Sequence, residues 1–216
     1  MQLKSQIQNT IKQNSVFILV MLLMFASRSS LADWYHVPTG SMLPTIVEGD
    51  RILVNKMAYR LEVPFTDITV MEIAKPKRGD IVVFNSVKAD NRLVKRLIAE
   101  PGDTVAMESN KLIINGTPVH YEQREQTFLQ TEYLENTAHF VQFTPVANPR
   151  DSFESVTVPE GQYLVLGDNR NNSADSRYYG FVPAIEIQGK ATKVLLSLNP
   201  DNYYLPRKER LLTPLI

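Results

Sequence analysis

Beyond residue 37 the apolar residues come in short β-branched and aromatic runs cut by Gly, Pro, Asn and Asp. That texture restricts the chain to an all-β, mainly antiparallel domain. The strand candidates are residues 52–54, 80–85 (DIVVFN), 92–99 (RLVKRLIA), 163–166 and 190–198. Residues 111–119 (KLIINGTPV) hold Asn115-Gly116 between apolar runs, a hairpin signal because both turn residues tolerate positive φ. Asn115-Gly116-Thr117 also spells a glycosylation sequon, read here as a turn. The texture becomes more polar from residue 120 to 159, which predicts an inserted, smaller β subdomain. The main domain is then 33–119 plus 160–216.

One segment breaks this pattern. Residues 16–26, VFILVMLLMFA, are an unbroken apolar run of eleven. As a helix it covers roughly 16 Å at ~1.5 Å per residue, about half of a ~30 Å hydrocarbon core. Lys4 and Lys12 precede it, and Ser30 and Ala32 follow at the −3 and −1 spacing of a signal cleavage site. Residues 1–32 therefore read as a cytoplasmic lead with a hydrophobic transmembrane or signal-anchor helix, or as a cleaved signal. Either way the positive lead stays inside and the β domain crosses the membrane. Membrane lipid is an expected partner, with Trp34 and Tyr35 placed for the interface.

Composition removes several function classes. Lys+Arg and Asp+Glu are both 23, so no basic excess supports nucleic acid as a partner. No cysteine is present, which excludes thiol catalysis and disulfides. The three histidines, His36, His120 and His139, have no metal-ligand spacing, so no cofactor is expected.

Three segments could carry chemistry. Residues 37–45, VPTGSMLPT, place Ser41 in a rigid, Pro-flanked stretch, but a serine hydroxyl needs a base within hydrogen-bond reach. In residues 92–103, RLVKRLIAEPGD, the strand period sets Lys95 on one face with Leu93 and Leu97. Desolvation there would lower the lysine pKa, as a general base requires, whereas the neighbouring Arg96 cannot release its proton. Residues 166–183, LGDNRNNSADSRYYGFVP, fail the calcium-loop pattern at positions three, six and twelve and read as a polar turn in which Asp175 and Arg177 can pair.

Taken in order, PTGSMLPT, RGDIVVF, VKRLIAEPGD and GDNRNNSADSRYYGFVP resemble the signature boxes of the type I signal peptidase family, serine proteases with a Ser/Lys dyad. The resemblance implies an endopeptidase that removes signal peptides from preproteins after small residues at −1 and −3, through an acyl-enzyme, at a bacterial cytoplasmic membrane with the catalytic domain outside. It further implies Ser41 as nucleophile and Lys95 as base, with Thr39 and the Ser41 N–H forming the oxyanion hole. Ser173 would hydrogen-bond the lysine, and Asp175 and Arg177 would support that wall. Val37, Met42, Ile46 and Val94 would line the substrate pockets. Thr39 stands where the family more often has serine but keeps the hydroxyl, and Asn171 replaces a commoner Asp. The competing enzyme is a histidine triad built on His36, which lies five residues, roughly 16 Å of extended strand, from Ser41. A self-cleaving repressor would need a DNA-binding helix-turn-helix where the apolar run stands, and a catalytically silent tethered β domain would not need the dyad.

Overall fold

Leu, Met and Ala are strong helix formers. In the computed structural model, which describes residues 12–66, 68–124, 128–135, 137–144 and 149–216, the apolar run lies in helix α1, Ser15–Ser30. Arg28 sits in its last turn, where a cation complements the negative end of the helix dipole. Val16, Phe17, Leu22 and Leu23 are all well exposed, so none of the described residues covers the barrel of this helix. Among the described residues no helix is long and apolar enough to cross a membrane. Lys4 lies outside the described residues, and Lys12 is exposed.

The rest is mainly antiparallel β structure, the expected class. One residue after α1 the chain enters β1 (Ala32–His36), followed by β2 (Asp50–Asn55), β3 (Arg60–Glu62), β4 (Thr69–Glu72), β5 (Ile81–Ser86) and β6 (Asn91–Ala99). Next come β7 (Thr104–Glu108), β8 (Lys111–Ile114), β9 (Thr117–Pro118), β10 (His120–Gln123), β11 (Leu129–Leu134) and β12 (Thr137–Gln142). The last part holds β13 (Phe153–Thr157), β14 (Gln162–Leu166), the single-turn α2 (Ser176–Tyr179), β15 (Val182–Pro183), β16 (Ile187–Asn199) and β17 (Leu205–Pro206).

The main sheet has the order β1-β2-β16-β5-β6-β14-β15, with β17 added to β16. Its interior strands are nearly continuous apolar runs because both faces are covered: Ile81, Val82, Val83 and Phe84 are all buried. Alternate residues therefore feed two different cores. Ile81 and Val83 pack with Val37, Met42 and Ile46, while Val82 and Phe84 pack with Tyr59, Leu97 and Val165. Strand β6 pairs along its whole length with β5, but β14 meets only its far half, through Arg96, Leu97 and Ala99. Among the described strands, nothing pairs the second edge of residues 91–95.

Strands β13-β7-β8-β9 form a second sheet around a core of Ile98, Met107, Leu112 and Leu166. Asn115 and Gly116 join β8 to β9 with φ of 51° and 75°, as the expected hairpin requires. Strands β10-β11-β12 make a sheet of their own, whereas β13 pairs with β7. Strands β3 and β4 form a separate hairpin beside α1, with Phe65, Ile68, Val70 and Met71 exposed.

Candidate active site

Ser41 sits in a turn held from both ends. Val37 N–H donates to Asp50 O at 2.9 Å and Gly49 N–H donates to Val37 O at 3.0 Å, tying the segment to β2. Met42 and Ile46, one turn apart and joined by an N–H···O bond of 2.9 Å, are sunk in the core. The serine cannot slide without pulling these apolar anchors into water. From the other side Asn169 donates its N–H to Ser41 O at 3.1 Å and its Nδ2 to Gly40 O at 3.0 Å. Gly167 closes the approach. A Cβ there would stand 2.4 Å from Ser41 O and 2.2 Å from Ser173 Oγ, so only glycine fits.

Lys95 comes from the half of β6 that still has an open edge. Its Nζ lies 2.6 Å from Ser41 Oγ, and only 3 % of the residue is exposed. Burial pushes the ammonium down, and the carboxylates of Asp175 and Asp168 oppose the shift while Arg177 adds to it, leaving a pKa of about 8 against an ordinary 10.5. At neutral pH about one lysine in ten is then a free amine, far more than an unperturbed side chain offers.

The wall behind the lysine is the loop from β14 to α2. Asp175 caps α2 and accepts from Arg177 Nε and Nη2, both at 2.8 Å, and from Gly167 N–H at 3.0 Å. Burial alone would raise the Asp175 carboxyl, but the Arg177 hydrogen bonds and charge outweigh it and hold the group below the usual range. Arg177 also donates to Arg170 O at 2.6 Å. Ser173 Oγ is buried and makes no hydrogen bond of normal geometry, to Lys95 or to any other described group, although its hydroxyl is among the dipoles that hold Asp175 down.

In front of Ser41 and Lys95 lies a cleft of about 300 Å³ between residues 35–42 and residues 91–95. Val37, Met42 and Val94 line it together with Tyr35 and Leu93, which the sequence reading did not place there. Ile46 is fully buried beneath the cleft rather than on its wall. Thr39 is exposed at the cleft beside Ser41. His36 also reaches the cleft, but the hydrogen-bond partner of Ser41 Oγ is Lys95.

Residues 8–196 match the sequence profile of the family described as signal peptidase, peptidase S26. The chain belongs to the signal peptidase family. It is 35 % identical to the signal peptidase I of Pseudomonas aeruginosa over 90 % of this chain and 75 % of that one. It is 34 % identical to the probable signal peptidase I-2 of a Synechocystis species, over 85 % and 72 % respectively. The signal peptidase I of Aquifex aeolicus is 33 % identical over 84 % and 82 %. As a signal peptidase the chain is a hydrolase, a serine endopeptidase whose substrates are signal peptides.

This signal peptidase carries a buried charge network next to the site. Arg96 clasps Asp168 with Nε at 2.9 Å and Nη2 at 2.8 Å, and donates Nη1 to Gly79 O at 2.9 Å. Asp168 also accepts from the Thr45 hydroxyl, so it joins β6 to the serine segment. Beyond it His139 lies 3.7 Å from Asp168 and 3.2 Å from Glu132, and Glu132 pairs with Arg170 at 2.6 Å. Burial would raise Glu132, but the Arg170 charge drives it far below the usual carboxylate range. The sequence held one clue to this network: Arg96 shares a strand face with apolar Val94 and Ile98, and a cation in that position must find a buried partner. Among the described residues no group of three or more His, Asp or Glu side chains is arranged to hold a metal ion.

Proposed function

We propose that Ser41 and Lys95 are the catalytic dyad, and the observation that carries this reading is the 2.6 Å contact of Nζ with Oγ around a buried, depressed lysine. The neutral amine takes the hydroxyl proton as Oγ attacks the scissile carbonyl. Lys95, now an ammonium, returns that proton to the departing amine, leaving an acyl-enzyme. Water then attacks the ester with Lys95 again as base, and the serine is regenerated. The Ser41 N–H and the Thr39 hydroxyl donate to the oxyanion in both steps. The Asp175–Arg177 pair keeps the wall in place, with Ser173 turning its unpaired hydroxyl toward the lysine during turnover.

The open edge of residues 91–95 invites an extended substrate to add as a strand. Val37, Met42 and Val94, backed by Ile46, make shallow apolar walls suited to small residues at −1 and −3.

The enzyme is bound to a bacterial cytoplasmic membrane with its catalytic domain outside and its lysine-bearing lead inside. Two apolar surfaces support this location: the exposed barrel of α1 and the neighbouring β3–β4 hairpin. Trp34, under Arg28 at 4.3 Å, stands at the boundary between them and the domain. The anchor is retained, because Ser30 is buried and Ala32 is already paired with Asn55 in β1, which withholds residues 30–32 from cleavage. Residues 33–119 with 160–216 act as the catalytic unit and 120–159 as an accessory subdomain.

Measuring kcat/KM on a signal peptide without ionisable side chains near the cleavage site, from pH 5 to 10, tests the dyad. The rate should climb with pH through about 8, since the free amine is the active form. Ser41→Ala and Lys95→Arg should both be inactive and folded. An ascending limb near ~6.5, the ordinary histidine value, that disappears in His36→Ala would replace the dyad with a histidine triad. Intact mass of the native membrane protein tests retention: a chain beginning at Asp33 would refute it.

A further inference from the structure

At the end of the cleft away from Ser41, Arg92 reaches across from β6 to β1. Its guanidinium carbon lies 4.2 Å from the centroid of the Tyr35 ring, and both residues line the cleft. Arg92 Nε donates to Asn85 Oδ1 at 2.9 Å. The ring face and Asn85 fix the guanidinium in one plane, while its two terminal amino groups have no acceptor among the described residues. A guanidinium held this way is a preorganised donor fork. Among the described residues no carboxylate lines the cleft to neutralise it, and the nearby Asp33 is already paired with Arg28 at 2.8 Å. The far rim therefore carries an exposed positive charge that no described cleft residue compensates.

Strand geometry says which substrate residue meets that charge. Side chains two apart share a face, so Arg92 lies on the face of β6 that Val94 occupies, one step further from the dyad. A peptide bound as a strand alternates in the same way, with −1, −3 and −5 facing one side. With −3 against Val94, residue −5 arrives at Arg92. We infer that Arg92, braced by Tyr35, is a specificity-determining residue that favours an acidic side chain at −5 and disfavours a basic one. This rests on the strand-added signal peptide and the −1 and −3 walls proposed above.

The test uses three peptides that differ only at −5, with Asp, Gln or Lys, cleaved by the full-length enzyme in detergent at low ionic strength. Wild type should prefer Asp over Lys by about threefold to tenfold in kcat/KM, the size expected of one exposed charge contact plus the matching repulsion. The preference should shrink in high salt, because charges at the rim are screened. Arg92→Gln should level the three rates and Arg92→Glu should invert their order; the ratio within each variant is its own control for folding. Equal rates in wild type, or a ratio unchanged in Arg92→Glu, would overturn the assignment of Arg92 alone. Failure of wild type to cut any of the three would overturn the proposed substrate reading and the inference with it.

Discussion

Lys95 is held in a state that water would not give it, and the fold bears the cost. Lowering its pKa from 10.5 to about 8 corresponds to about 3 kcal/mol at ~1.36 kcal/mol per unit. The sign follows from linkage. Between pH 8 and 10.5 the unfolded lysine keeps a proton that the folded one has lost, so stability rises with pH across that window, and below pH 8 the full penalty is present. Lys95→Met should therefore melt at higher temperature than wild type at pH 7, by the equivalent of roughly 2 to 3 kcal/mol, and lose both its activity and the alkaline rise in stability. Thermal melts at pH 7 and pH 10 check both statements. Thr39→Val should leave substrate binding almost unchanged and lower kcat about 10²-fold to 10³-fold if its hydroxyl is an oxyanion donor; an unchanged kcat in steady-state assays would remove it from the hole. At this scale the sequence was informative where a local rule applied. A period of two set Lys95 between leucines, but no rule local to 37–45 says that Ile46 drops below the cleft floor, because that depends on strands β2 and β16 packing underneath.

Elements place these side chains, and their constraints are steric as well as electrostatic. The loop leaving β14 passes so close to the serine that Gly167→Ala would drive a methyl into Ser41 O at 2.4 Å. One of the two segments must shift. Misplacement of reacting groups on the scale of 1 Å costs on the order of 10² in rate, so kcat should fall by about that much while circular dichroism stays that of a folded β protein. Asp175→Ala acts on the same wall differently. It strands the Arg177 charge at a buried site and should cost about 3 kcal/mol of stability in denaturant titration, with activity lost alongside. The strands and the Asn115-Gly116 hairpin were legible because alternation and turn chemistry are short-range signals. The half-open edge of β6 was not, since it exists only because β14, more than sixty residues later, pairs no further than Arg96.

Across the whole molecule, the network from Arg96 to Arg170 ties the β11–β12 pair to β6, which carries Lys95, and to the loop from β14 to α2. Glu132, Asp168 and Asp175 are all held below the ordinary carboxylate range. Their stabilisation is present above the unfolded pKa, near ~4, and is lost as pH falls through the lower folded values. The protein should accordingly remain folded at pH 4. Glu132→Gln, which leaves Arg170 buried without a counter-charge, should lose about 3 kcal/mol at pH 7 and flatten the dependence below pH 4. Pairings of this kind lie beyond a reading of one sequence, because partners such as Arg96 and Asp168 are seventy-two positions apart and nothing local marks them as mates.

The junction between α1 and β1 sets a mechanical limit. Only Leu31 separates helix from strand, and its carbonyl accepts from Lys56 N–H at 3.0 Å, while Ser29 bonds both the Lys56 ammonium and Phe65 N–H. A flexible ten-residue tether would let the serine wander over roughly 17 Å; this weld lets it wander hardly at all. With α1 held in lipid and Ser41 the nucleophile, both as proposed, the serine becomes a height gauge that can reach a scissile bond only at one level above the bilayer. Six Gly/Ser residues inserted between Leu31 and Ala32 should spare cleavage of a free peptide in detergent yet blur or shift the site cut in a membrane-embedded preprotein.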